Sequence, residues 1–159
     1  MRKIDIINIF NLGIANATNH DLSPEHAYKF VKFRKVANSI LESIGKDEEA
    51  IRKDAGIEDP QAFDKELADL RAIEKPTDEQ SEKLSEMEAK LRRFIELRVE
   101  MLNEDVPLEG VKAMPYDAWH KLQCENAEKE INGRKVDILS GYVEDILEGI
   151  LWVAPKEGE

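Results

Sequence analysis

Residues 30–51, FVKFRKVANSILESIGKDEEAI, and residues 84–94, LSEMEAKLRRF, decide the reading of the fold. In the first, Phe30, Phe33, Ala37, Ile40 and Ile44 follow a three-then-four spacing, and Ile51 continues it after one polar interruption at Asp47. In the second, Leu84, Met87, Leu91 and Phe94 do the same. That spacing keeps the side chains on one face of a helix, and each stripe then needs a partner surface. The simplest partner for each stripe is the other. The pattern predicts an antiparallel helical hairpin in which Phe30, Phe33, Ile40 and Ile44 meet residues among Leu84, Met87, Leu91 and Phe94.

Local signals around the stripes set the boundaries. Ser23-Pro24 reads as an N-cap followed by proline at the first helical position, and Gly56 offers a left-handed stop. Asp59-Pro60 repeats the start signal. Lys75-Pro76 ends the next segment, and Thr77 with Gln80 has the spacing of a capping box. Beyond the hairpin the period changes. Leu97, Val99 and Met101 alternate with Glu96, Arg98 and Glu100, which predicts a half-buried strand. Val106 and Leu108 could pair back as an edge strand, and residues 3–7 fit a short strand or a helix equally. Pro115 opens a short helix carrying Trp119 and Leu122. Asn132-Gly133 is the strongest hairpin signal, and Ser140 is placed to cap a last helix running to Leu151 and Trp152.

The expected architecture is a single α+β domain over residues 1–159, mostly helical. A protruding antiparallel hairpin occupies 23–95. Residues 1–22 and 96–159 form a smaller part with a short β-sheet and a C-terminal helix. A chain of 159 residues with 42% apolar content is long enough to bury a core. The charged fraction of 36% against 6% aromatics suits a helix-rich protein.

The net charge of −11 is uneven. Residues 58–109 hold sixteen Asp and Glu against eight Lys and Arg, whereas residues 1–57 are nearly balanced. Such a segment repels a phosphate backbone, so nucleic-acid binding is not expected. An acidic DNA mimic that blocks a DNA-binding partner is an alternative; a solvated charged face is the simpler reading. The one basic cluster is Lys29, Lys32, Arg34 and Lys35, interleaved with Phe30 and Phe33. On a helix those cations flank the apolar stripe and cover it with their stems.

Chemistry-bearing residues are sparse. Cys124 is the only cysteine, which excludes an internal disulfide and fits a reduced cytoplasm. No uncharged apolar run is long enough to span a membrane, and Arg2-Lys3 followed by Asp5 and Asn8 does not read as a leader. His20, His26 and His120 lack metal-ligand spacing, and no glycine-rich phosphate loop occurs, so no metal or cofactor is expected. His120 and Cys124 share a helical face and could form a nucleophile pair, but the neighbouring Glu125 and Glu128 disfavour a thiolate.

The order of elements resembles a family of small bacteriophage and prophage proteins. The resemblance is carried by Lys3-Ile4-Asp5-Ile6, by LSPEHAYKFVKFRKVANSIL from Leu22 to Leu41, by FIELRVEML from Phe94 to Leu102, and by DILEGILW from Asp145 to Trp152. The charged sequence around Pro76 is an addition to that pattern. The resemblance implies a phage origin, a host-cytoplasmic location and a non-enzymatic accessory role, with no active site to carry over.

The leading functional expectation is a non-catalytic protein-binding accessory protein acting on a host factor, for example by inhibiting a defence protein. Virion assembly, a DNA mimic and an enzyme with a pocket near His120 and Cys124 are the alternatives. The expected partner-binding residues are Asp64, Glu66, Asp69 and Glu74 at the hairpin tip, with Tyr116 and Trp119 in the aromatic C-terminal third. Self-association through the hairpin is a further expectation.

Overall fold

A computed structural model describes residues 1–11, 13–127, 129–135 and 141–155. The helices are α1 (Lys3–Asn11), α2 (Pro24–Asp54), α3 (Pro60–Arg71), α4 (Asp78–Leu102), α5 (Tyr116–Asn126) and α6 (Gly141–Leu147). The strands are β1 (Met114–Pro115), β2 (Glu130–Ile131), β3 (Arg134–Lys135) and β4 (Trp152–Val153). The protein is α+β and mostly helical, with a C-terminal helix. Its chain divides into two compact units, Met1–Glu42 with Asp105–Glu159, and Ser43–Glu104. Residues 23–42 fall in the first unit and residues 96–104 in the second.

The helix starts read from sequence are present as physical contacts. The Asp59 carboxylate accepts from the backbone N–H groups of Gln61 and Ala62 at 3.0 and 3.1 Å, with Pro60 at the first helical position. Thr77 Oγ1 accepts from Gln80 N at 3.2 Å while Gln80 Oε1 accepts from Thr77 N at 2.9 Å, the reciprocal capping box. Gly56, at φ 76°, ends α2. Ile57 N donates to Arg52 O and Gly56 N to Lys53 O, which is the Schellman pattern that satisfies the last carbonyls.

In the first unit one core gathers α1, α2, α5, α6, β1 and β4. Ile6, Ile9, Phe30, Phe33, Trp119, Leu122, Val143 and Leu147 are among its fully buried members. Phe30 and Phe33 therefore pack here, with Ile40 at the edge, while Ile44 and Met87, one from each of the two stripes, are both buried in the second unit. The physical reason is competition between surfaces. This core takes both phenylalanines out of water completely, whereas Leu84, Leu91 and Phe94 are themselves only half-buried.

β1 and β4 form a two-stranded parallel sheet with Met114 opposite Trp152, and β2 and β3 form an antiparallel hairpin. Asn132 and Gly133 turn that hairpin with φ of 53° and 75°, as the Asn-Gly signal predicts. The last helix stops earlier than expected. Gly149, at φ 75°, reverses the chain, and Trp152 pairs as a strand residue instead of closing a helix. Ser140, the expected cap, lies outside the described residues.

In the second unit the end of α2 and α4 run antiparallel. Arg98 Nε donates to Glu48 Oε1 at 2.5 Å, the Arg52 guanidinium lies over the Phe94 ring at 5.4 Å, and the Lys90 side chain covers Gly56. Each step of four up α2 is matched by a step of four down α4. The expected strand at 96–101 is instead the last part of α4. On that helix Leu97 and Met101 share a face and are half-buried and buried, while Val99 points away and is 52% exposed. The alternation was compatible with either period, and the capped helix that begins at Thr77 carries through it. Residues 3–7 likewise resolve as helix.

Polar contacts fix the loop after α1. Asn126, buried at the end of α5, accepts from Thr18 N at 2.7 Å and donates to Thr18 O at 2.7 Å and Leu122 O at 2.8 Å. Asn126→Ala leaves the half-buried Thr18 backbone N–H and C=O without these partners. The expected cost is about 1–3 kcal/mol, read as a lowered midpoint in denaturant unfolding. An unchanged midpoint would show that water replaces the amide.

Candidate functional site

Two regions carry the residues singled out from sequence, and they lie in different units. In the first unit α5 displays Tyr116, Trp119, His120 and Cys124. Trp119 is 0% exposed, its Nε1 donates to Glu144 Oε1 at 3.3 Å, and its ring stacks on Trp152 at 6.3 Å between centroids. Trp152 Nε1 donates to the Glu144 carbonyl at 3.1 Å. Trp119 is therefore a core residue, and its expected role in partner binding is corrected. The indole pair fills the space under α6 and satisfies both N–H groups on one residue, as buried tryptophans require.

Tyr116 is half-buried and closes this cluster. Its ring lies 5.3 Å from Trp152 and stacks on His120 at 6.1 Å. His120 Nε2 approaches Cys124 Sγ at 3.6 Å on the exposed face of α5. The helical spacing does bring imidazole and thiol together. Among the described residues nothing hydrogen-bonds the other imidazole nitrogen, the third element that a nucleophile–base pair uses for orientation. Glu128 lies outside the described residues. Among the described residues no group of three or more His, Cys, Asp or Glu is arranged to hold a metal ion.

Glu125, read from sequence only as an electrostatic neighbour of Cys124, has a structural task. Its carboxylate accepts from His20 N at 2.7 Å and Asp21 N at 2.9 Å, clamping the loop before α2 onto α5. Sequence reasoning missed this because the partners are backbone groups far along the chain, and no side-chain pattern announces them.

The second unit carries the acidic candidates. Asp64, Glu66, Asp69 and Glu74 are all exposed, on α3 and the turn that follows it. Glu66 is bonded to Lys83 of α4, and Arg71 to Glu88 at 3.0 Å. The Glu66 carboxylate holds the Lys83 ammonium above its ordinary pKa through that hydrogen bond. Among the described residues Asp64, Asp69 and Glu74 have no cation partner. The segment is not uniformly polar, as Leu67 is buried and Phe63, Leu70 and Ile73 are half-buried. Sequence reading did not single out Ile95 and Val99, two apolar side chains four residues apart on α4 that are 50% and 52% exposed.

The basic cluster splits by function. Arg34 lies over the Phe30 ring at 5.6 Å and donates to the carbonyls of Ala17, at 3.1 Å, and Ala15. It is a clamp on the chain after α1. Lys29 pairs with Glu25 at 3.2 Å. Among the described residues no helix is long and apolar enough to cross a membrane.

No family model matches the chain, and no curated protein or solved structure is similar to it.

The Glu125 clamp has a pH signature. Burial alone would raise this carboxyl, but the hydrogen bonds from the Asp21 and His20 N–H groups overcome that and hold it below about 4.5, the value of a solvated glutamate. A depressed pKa adds stability that is present above 4.5 and lost as pH falls through the folded value. Glu125→Gln should be less stable than the parent protein at neutral pH, and the gap should close as pH drops below about 4.5. Thermal unfolding across that window checks this; a gap of constant size would refute the clamp.

Proposed function

We propose that this chain is a non-catalytic protein-binding accessory protein whose second unit engages a basic surface on its partner. The observation that carries the reading is the surface of residues 43–104. Asp64, Asp69 and Glu74 are exposed carboxylates without cation partners among the described residues, and Ile95 and Val99 are exposed apolar side chains on α4. Unpaired surface charge of one sign steers encounter with the opposite sign and costs nothing to desolvate until contact. Exposed aliphatic side chains supply the short-range burial that charge alone does not. The resemblance to phage and prophage proteins makes a host protein the expected partner, with inhibition of a host factor as the form of action. Tyr116 stays a candidate contact because its ring is half-exposed, and Trp119 does not.

The test compares the parent protein with a variant carrying Asp64→Asn, Glu66→Gln, Asp69→Asn and Glu74→Gln. Both are immobilised and exposed to host lysate at low and high salt, and captured proteins are identified by mass spectrometry. The expected outcome is a partner held by the parent at low salt, released at high salt and lost in the variant, since exposed charges are screened over roughly 8–10 Å at physiological ionic strength. With the partner purified, neutralisation should lower the association rate, and Ile95→Ser with Val99→Ser should raise the dissociation rate. A partner captured equally by parent and variant rules out the acidic segment as its docking site.

A further inference from the structure

A second recess in the first unit carries charge of the opposite sign. Glu25, Tyr28, Lys29 and Lys32 lie at one-turn spacing on a single face of α2, and Gly110 and Lys112 come from the loop before β1. Together they line a cavity of about 350 Å³. Three lysines surround it against one glutamate, in a chain whose net charge is −11. Lys29 has Glu25 as a partner at 3.2 Å. Lys32 and Lys112 have no carboxylate partner among the described residues.

The loop is shaped around Lys32. Gly110 adopts φ 71°, and a Cβ there would lie 3.3 Å from Lys32 Cε and 3.7 Å from its Nζ. The glycine thus lets the loop backbone come close to the lysine stem, and its positive φ bars most other residues from that position. Lys32 is half-buried beside this loop while Lys112 is exposed. Tyr28, at the rim, is 68% exposed, a large ring left in water beside the cations. A larger recess along α2, about 580 Å³ and lined in part by Arg34, Lys35 and Glu42, lacks this character. Its arginine is already committed to the Ala15 and Ala17 carbonyls.

We propose that the Lys29, Lys32 and Lys112 recess is a binding site for a small organic phosphate monoester. Two arguments select that class. Three ammonium groups less one carboxylate leave a local charge of about +2, which matches a phosphate monoester carrying close to −2 at neutral pH. Lysine binds phosphate as a compact point charge, without a bidentate geometry. The cavity is also larger than an inorganic phosphate, and Tyr28 is placed to cover an organic, ring-bearing portion.

The test uses the full chain with phenyl phosphate and inorganic phosphate as probes, titrated calorimetrically at constant ionic strength. Phenyl phosphate is expected to bind saturably, with a Kd in or below the low-millimolar range, and about tenfold more tightly than inorganic phosphate. Lys112→Gln and Lys32→Gln should each weaken both probes by about tenfold. Tyr28→Ala should bring phenyl phosphate down to the affinity of inorganic phosphate and leave the latter unchanged. Lys112 is exposed on a loop, so its substitution does not put folding at stake; thermal unfolding of the Lys32 variant separates lost binding from lost structure. Absence of saturable binding at about 10 mM probe, or binding indifferent to Lys112→Gln, overturns the site. Equal affinity for the two probes overturns the organic ester as the ligand.

Discussion

Phe30 and Phe33 sit one turn apart on α2, so a surface that buries one must accommodate the other. Both are fully buried, in a core shared with Ile6, Ile9, Trp119, Leu122, Val143 and Leu147. Complete burial of such rings is worth roughly 1.5–3 kcal/mol each, more than the half-buried face of α4 could return. Their direction then sets the direction of every charge beside them. A residue one position later on a helix is rotated about 100° one way, and a residue one position earlier by the same angle the other way. Arg34, just after Phe33, falls on the flank where it can lie over Phe30 and hold the Ala15 and Ala17 carbonyls. Lys29 and Lys32, each just before a phenylalanine, fall on the opposite flank beside the loop containing Gly110 and Lys112.

Helix boundaries were legible because their causes are local. A cap, a proline and a left-handed glycine act within one turn, so Asp59-Pro60, Thr77 with Gln80, and Gly56 read correctly from letters alone. The same locality explains the Asn132-Gly133 turn. Period was less reliable where two templates overlap. Leu97, Val99 and Met101 satisfy alternation, but the first and third also satisfy the helical i, i+4 spacing, and an established helix upstream decides the matter. At the other end the last helix was overdrawn because Ile146, Leu147, Ile150 and Leu151 fit a helical face. Gly149 breaks that face with a positive φ, and Trp152 then finds a strand partner in Met114.

Partner choice was the part that letters could not supply. Two stripes of matching length invite pairing, but a stripe declares only that it must be buried, not against what. Here the first half of the α2 stripe goes to elements at both ends of the chain, and only Ile44 and the residues after it belong to the unit that contains α4. The polar ties were equally hidden. Asn126 exchanges hydrogen bonds with the Thr18 backbone across 108 residues, and Glu125 receives the His20 and Asp21 amides across a similar span. Backbone partners leave no trace in composition, so such contacts emerge only once the fold has brought the chain segments together.

The same limit applied to charge. Snorkelling along an apolar stripe accounts for Arg34, whose guanidinium is used within the fold, and for Lys29, which has Glu25. It does not account for Lys32 and Lys112, because one comes from α2 and the other from a loop far along the chain, and no window of sequence contains both. A net charge of −11 conceals this, since it sums an acidic middle segment with a small recess of the opposite sign. Field at a site depends on the charges within about a Debye length of it, not on the total. Acidity of the whole chain therefore argues against a polyanion spread over its surface and leaves room for a compact anion held by three lysines. The two statements concern ligands of different size, and both follow from where the fold has put each charge.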